Sequence, residues 1–380
     1  MTAPWLIIAG DLTPLGGMDA ANHALARHLA GRGTELHVVA HRTWADLRAL
    51  PSLKVHDVWR PFGRHLLGGP MLASAGERWW QHLRRRGART IANGGNCRVA
   101  GANWVHYVHA AYTPVVAGTW TQRAKARLAH QHDVAAERTA LAEATVVLCN
   151  SRRTARDVVE RVGVPPSRVA VVYYGTDPER FSLVTDDARA IARERLGITD
   201  ERPLAGFIGA LGDRRKAFDT LFAAWASLCR RHDWDGQLLV AGAGGELDAW
   251  RARATDAGLS DRMTFLGFRT DVPEILAALD VLIHPARYEA YGLAAHEAIC
   301  RGVPAVVQAA SGIAERYPDA LGDLLLTDPD DDEELAARLL RWRSRREDDR
   351  RITRAFAEQL RTRTWDDMAT DIVSLVEQAA

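Results

Sequence analysis

HPARYEAYGLAAHEAICRGVPAVV, residues His284–Val307, is the stretch on which the fold turns. An apolar run, Val281-Leu282-Ile283, leads into it and reads as a buried strand. Arg287 to Gly292 is a polar turn, Leu293 to Cys300 reads as a helix, and Pro304-Ala-Val-Val opens another strand. The loop at the carboxyl end of the first strand carries Glu289. The helix that follows carries Glu297, eight residues on. In open α/β sheets, ligands bind in the crevice beyond the carboxyl ends of the strands. Free N–H groups at a helix start suit phosphate or hydroxyl oxygens. Two carboxylates, one before the helix and one inside it, are placed to grip hydroxyls at the two ends of an elongated ligand. These residues describe a site for a polyol joined to phosphate.

The same stretch resembles the family 4 retaining glycosyltransferases, which have the GT-B architecture of two facing Rossmann-like domains. The shared features are Glu289, Tyr291, Gly292 and Glu297, followed by Gly302-Val303-Pro304. A bare Glu-x7-Glu spacing is a weak signal. The preceding strand, the aromatic–Gly loop and the Gly-x-Pro strand start make it specific. The resemblance implies an α/β fold with an acceptor-binding domain over 1–182, a nucleotide-sugar domain over 183–363, and a helix over 364–380 crossing back onto the first. The implied activity is hexosyl transfer, with retention, from a nucleoside-diphosphate sugar (UDP or GDP) to an acceptor hydroxyl. The acceptor is a glycan, a lipid or a small molecule, and no cofactor or essential metal is expected. Glu289 then holds sugar hydroxyls near the anomeric carbon and Glu297 the ribose hydroxyls. The N–H groups of Gly292 and Leu293 assist the diphosphate, and Tyr291 borders the donor. A nucleotide-sugar epimerase or phosphorylase on the same architecture is a second reading, and a catalytically idle nucleotide-binding module a third.

The 380 residues suit two domains, and 47% hydrophobic with 26% charged residues is the balance of a soluble globular protein. No apolar run approaches a membrane span, and Trp5 to Ala9 is too short for a secretory signal. Cys97, Cys149, Cys229 and Cys300 lack metal-ligand spacing and read as reduced thiols, so a cytoplasmic setting is expected. Residues 1–180 hold 23 Lys/Arg against 13 Asp/Glu, whereas the remainder holds 26 against 35. A basic first half points to an anionic acceptor or to peripheral contact with an anionic membrane at its inner face.

Trp5–Ala9, a loop ending in Gly16-Gly17, a helix over Ala20–Leu29 and a strand over Glu35–Ala40 read as a βαβ start. The resemblance places Gly16 and Gly17 where backbone N–H groups approach the donor phosphates and the acceptor. Pro61 to Pro70 reads as irregular. Met71 to Arg89 sets Trp79 and Trp80 among Arg78, Arg84, Arg85, Arg86 and Arg89. This is either a membrane-surface segment or a plain helix with tryptophans inward and arginines in water. No nucleic-acid recognition motif accompanies it. The strand Trp104–Ala110 carries His106 and His109, without metal-ligand spacing. The family's sugar-contacting histidine at the end of this strand matches His109.

The second domain opens with the strand Pro203–Gly209 and the loop ALGDRRKA, residues 210–217. Two cations beyond a strand end, Arg215 and Lys216, would stabilise a diphosphate leaving group. The family pattern places an Arg directly after the strand's Gly209, where this chain has Ala210. Arg214 or Arg215 would replace it, and Ala217 stands where a Gly is usual. Gly242 opens a glycine turn after Gln237–Ala241, on the phosphate or ribose side of a nucleotide domain, and Phe268 follows Met263–Leu266 as a candidate border for the base. Leu335–Arg343 reads as a helix, Arg345–Arg351 as a charged linker, and Thr364 with Asp367 as a capping box.

Overall fold

The computed structural model describes residues 3–63, 65–116, 118–212 and 214–379. The chain divides into two compact units, one of Met1–Thr113, Ala124–Gly175 and Arg363–Ala380, the other of Pro114–Arg123 and Thr176–Thr362. The first is built on β1 (Trp5–Ile8), β2 (Leu36–Ala40), β3 (Leu53–Asp57), β4 (Arg89–Asn93), β5 (Ala102–Val105), β6 (Val146–Cys149) and β7 (Val169–Val171). Its strand order is β3-β2-β1-β4-β5-β6-β7, all parallel. The second has β8 (Leu204–Ile208), β9 (Gln237–Ala241), β10 (Met263–Gly267), β11 (Val281–His284), β12 (Ala305–Gln308) and β13 (Leu325–Leu326). Its order is β10-β9-β8-β11-β12-β13, again all parallel.

Strands such as WLII, LHVVA and VLIH are buried along their whole length, as parallel sheets covered by helices on both faces require. Each sheet reverses its order once, between β1 and β4 and between β8 and β11. In this topology the loops leaving the two strands at the reversal diverge and open a crevice. The loop with Lys216 leaves β8, and the loop with Glu289 leaves β11.

Two local readings are corrected. The segment before Met71 is not irregular throughout: a helix spans His65–Arg84 and takes in Pro70. Its Leu72, Ala75 and Leu83 pack with Leu6 and Ile8 of β1, and this burial overrides the local proline. Trp79 and Trp80 lie half-buried against the same cluster. Trp79 stacks on His56 at 3.5 Å, and Trp80 donates to the Ala100 carbonyl at 3.2 Å, while Arg78, Arg84, Arg85 and Arg86 are exposed. The tryptophans therefore point inward on this helix. The Arg345–Arg351 run is also not a linker, because one helix spans Asp332–Arg361. Asp331 caps it by accepting from the Glu334 N–H, and Glu334–Arg338 and Arg345–Asp349 pair along its face one turn apart. No Gly or Pro interrupts it, and Leu335, Leu339, Trp342, Phe356 and Leu360 anchor its inner side. Among the described residues no helix is long and apolar enough to cross a membrane.

The last helix, Trp365–Gln378, belongs to the first unit and packs on the helix Gly17–Gly31. The Thr364–Asp367 capping box is formed, and Met368, Ile372 and Val376 are buried. Ile372→Ala should lower stability by about 2–5 kcal/mol. Urea unfolding at unchanged slope measures this, and a loss below about 1 kcal/mol would show that the helix is not integral to the core.

Candidate active site

Beyond β8 the chain makes one turn of 3-10 helix, Arg214–Lys216, then enters the helix Phe218–Cys229 through Ala217. Asp213 lies outside the described residues. Ala217 has φ +52°, a left-handed conformation that favours glycine. The backbone accounts for the glycine expected there, and this chain adopts the same turn with an alanine. The loop beyond β11 is stapled to this turn at several points. The Arg287 N–H donates to the Arg215 carbonyl at 2.8 Å, and Arg215 donates to the Tyr288 carbonyl at 3.1 Å. The Arg287 guanidinium also reaches the Arg214 carbonyl and grips both oxygens of Asp219, at 2.8 and 3.0 Å.

Glu289 sits at the centre of this staple. Its Oε2 accepts from Lys216 Nζ and from His284 Nε2 at 2.8 Å, and Arg215 stands 3.7 Å from the same oxygen. Burial alone would raise the carboxyl, but the Lys216 charge, the His284 hydrogen bond and Arg215 outweigh it and hold Glu289 well below its usual range. Burial, with the Lys216 charge beside it, lowers His284, so the ring is neutral and carries its proton on Nε2. Of the two arginines open as substitutes for Ala210, Arg215 is the one beside Glu289. Ala210 itself is exposed.

The helix Leu293–Cys300 begins at Gly292, with φ +108° and no side-chain cap. A Cβ at Gly292 would stand 3.0 Å from Ile313, so the position takes glycine on both counts. Leu293 opens the helix. Tyr291 is buried, with its hydroxyl 2.9 Å from His296 Nδ1, so its ring lies in the packing of the helix start. Glu297 is on the same helix, and burial pushes its carboxyl up to about 7, with Arg180 opposing. At the neighbouring loops, a Cβ on Gly242 would fall 1.8 Å from the Gly209 carbonyl oxygen. Glycine there lets the β8 and β9 loops touch through their backbones. Phe268 follows β10 and is 73% exposed.

Residues 15–180 match the Glycosyltransferase Family 4 family, and residues 188–359 match the glycosyl transferases group 1 family. The chain belongs to the family 4 glycosyltransferases. A D-inositol 3-phosphate glycosyltransferase of Salinispora tropica is 27% identical, over 96% of this chain and 81% of its own. Sucrose-phosphate synthase of Thermosynechococcus elongatus superposes with a TM-score of 0.78 at 21% identity, covering 99% of both chains. HepE of Anabaena, solved with UDP and glucose, superposes at 0.73 with 20% identity, over 99% of this chain and all of its own. These neighbours place the fold of this glycosyltransferase as GT-B.

In the first unit of the transferase, Gly16 is the N-cap of the helix that Gly17 opens. His109 lies in a short turn, His109–Ala111, after β5, and burial lowers its pKa. The turn is held by Glu137, whose carboxylate accepts from the His109 N–H at 2.8 Å and the Ala110 N–H at 3.1 Å. His106 is buried and stacked on Tyr174, with its Nδ1 against the Tyr174 hydroxyl. Sequence reasoning gave no role to Glu137, His284, Arg287 or Asp219. A buried glutamate inside a polar helix and an arginine in a polar turn carry no local signal, because their partners lie far along the chain.

Glu289→Gln should cost the transferase about 1–3 kcal/mol, since Lys216 loses its charged partner. A carboxyl held low stabilises above its unfolded pKa and loses that contribution as pH falls through the folded one. The wild-type advantage should therefore be complete above about pH 4.5 and shrink below it, as paired unfolding curves across pH would record. A pH-independent difference would contradict the assigned ion pair.

Proposed function

We propose that this chain is a retaining, metal-independent hexosyltransferase that uses a nucleoside-diphosphate sugar, carried on UDP or GDP. The observation that carries this reading is the cluster beyond β8 and β11. Two cations, Lys216 and Arg215, are held against a single oxygen of Glu289, next to an uncapped helix start. A donor diphosphate would draw Lys216 and Arg215 toward itself, and the Leu293 end of its helix adds a partial positive charge. Glu289 Oε1 is then the acceptor for a hydroxyl of the transferred sugar, and Glu297 for those of the ribose. The acceptor hydroxyl attacks the anomeric carbon from the face that the diphosphate leaves. The carbon–oxygen bond to phosphate breaks, the new glycosidic bond forms, and a phosphate oxygen takes the proton. Glu289 thus positions and stabilises, and it forms no covalent bond. Lys216 and Arg215 supply the positive charge that a divalent cation would otherwise bring to the leaving group. His109 is assigned to the donor sugar, as the family resemblance implies.

The neighbour solved with UDP and glucose supports a nucleotide-sugar donor. The relative named for D-inositol 3-phosphate, together with the basic first 180 residues, supports an acceptor that carries a phosphate or other anionic group.

Lys216→Ala and Glu289→Gln should each lower kcat by about 100-fold or more while the protein stays folded, and wild-type activity should survive EDTA. Near-normal turnover in either variant would sink the assignment, and loss in EDTA would sink metal independence. Nucleotide affinity should fall as pH drops below about 7, where Glu297 takes up a proton. Glu297→Gln should flatten that dependence relative to wild type, as calorimetric titration with UDP and GDP across pH would record. Parallel curves would remove Glu297 from the binding site.

A further inference from the structure

A second concentration of positive charge lies at the amino ends of the second unit's strands, opposite to the Lys216–Glu289 cluster. Asp280 immediately precedes β11, and Gly302 to Pro304 immediately precede β12. Here the helices Asp186–Arg195 and Asp332–Arg361 border a small, solvent-open depression. Arg189, Arg301, Arg346, Arg350 and Arg354 line it, and Asp280 is the one carboxylate among the lining residues. Asp280 is already occupied. Its Oδ1 accepts from Arg189 at 2.6 Å, and its Oδ2 accepts from Arg193 and from the Leu204 N–H, each at 2.8 Å.

The other arginines have little to balance them. Arg301 and Arg354 donate to neutral carbonyls, those of Arg180 and Val184 at 3.0 and 3.1 Å. Arg350 pairs with Asp186 at 3.1 Å and Arg346 with Glu347 at 3.3 Å, but both acids are largely exposed and such pairs are weak. Arg189 Nε and Arg301 Nε are buried and have no hydrogen-bond partner among the described residues. Burial lowers the pKa of Arg301, and burial reinforced by Arg193, Arg350 and Arg346 lowers that of Arg189. A purely structural cluster would be expected to satisfy its buried donors and neutralise its charge. This one leaves the Nε donors of Arg189 and Arg301 over among the described residues, and arginine is the side chain best suited to an oxyanion.

We propose that this pocket binds a phosphate dianion, either free phosphate or the phosphoryl group of a small phosphomonoester. It is separate from the Lys216–Glu289 cluster, which follows the carboxyl ends of β8 and β11. The four residues of β11 alone set the two sites about 13 Å apart. The pocket also grips the segment that follows Gly175, through the Val184 N–H bonded to the Arg301 carbonyl and Arg354 bonded to the Val184 carbonyl. A bound phosphate would relieve the repulsion among the arginines and stiffen that segment.

The test is thermal unfolding in the Lys216→Ala background, which weakens phosphate binding at the candidate active site and makes the outcome independent of the transferase reading. Inorganic phosphate or glycerol 2-phosphate is compared with chloride at matched ionic strength. Phosphate at ten times its Kd should raise Tm by about 3 °C, and Arg346→Gln with Arg350→Gln should abolish the shift. In chloride alone that pair of substitutions should leave Tm unchanged or raise it, because like charges are removed. A larger shift with the ester identifies a phosphomonoester site, and an equal shift identifies a free-phosphate site. No shift in the Lys216→Ala background, or the same shift after the arginine substitutions, overturns the proposal. Should the arginine variant fail to fold, tungstate soaked into crystals of the Lys216→Ala protein gives the second measurement. An anomalous peak within hydrogen-bond reach of Arg189 and Arg350 supports the site, and its absence there overturns it.

Discussion

The ion pair between Lys216 and Glu289 is the constraint on which the second unit's crevice depends. The two residues stand on loops that leave different strands, β8 and β11, beyond the regular ladder of the sheet, where their contact adds to the Arg287 N–H bond to the Arg215 carbonyl. Their charges meet in a setting where neither side chain is more than 14% exposed, so solvent screens them weakly. Arg287, reaching Asp219 and the Arg214 carbonyl, makes the same connection a second time. The cations are thus already gathered before any ligand arrives.

Two glutamates on one short stretch are shifted in opposite directions. Glu289 is surrounded by Lys216, His284 and Arg215 and stays ionised despite its burial. Glu297, one turn into the following helix, has Arg180 as its opposing charge, and burial carries it up to about 7. Environment sets the difference, since the residue type is the same.

Much of this was legible from the chain. Buried apolar runs such as Val281-Leu282-Ile283 declare parallel strands. The Glu289–Gly292–Glu297 spacing marks the loop and helix, and the helix bounds Leu293–Cys300 agree with the structure. Lys216 and Arg215 were visible as cations beyond a strand end, although only their pairing with Glu289 separates Arg215 from Arg214. His284 read as the polar end of a strand, and Arg287 as one more loop cation. Their meaning lies in partners as distant as Asp219, 68 residues away. The helix Asp332–Arg361 was misread because a dense charge run resembles a solvated linker. Its pairs one turn apart and its buried Phe356 and Leu360 become evident only once the helix is wound. Trp79 and Trp80 were open to two readings because an aromatic pair beside arginines looks the same whether it faces the core or a lipid surface.

The first unit is discontinuous in the chain, and this fixes the order in which it can be completed. Its opening strands and the helix Gly17–Gly31 are synthesised early, but the helix that packs on Gly17–Gly31, Trp365–Gln378, is made only after Thr362. Between the two lie the residues Thr176–Thr362 of the second unit. At typical ribosomal speeds, making that stretch takes about 10–40 s. For that interval the helix Gly17–Gly31 lacks the partner helix that packs on it in the folded protein. The second unit, continuous through nearly all its length, has time to fold while the first still waits. Completion of the first unit therefore waits on the segment Arg363–Ala380, which follows the whole of Thr176–Thr362 in the chain.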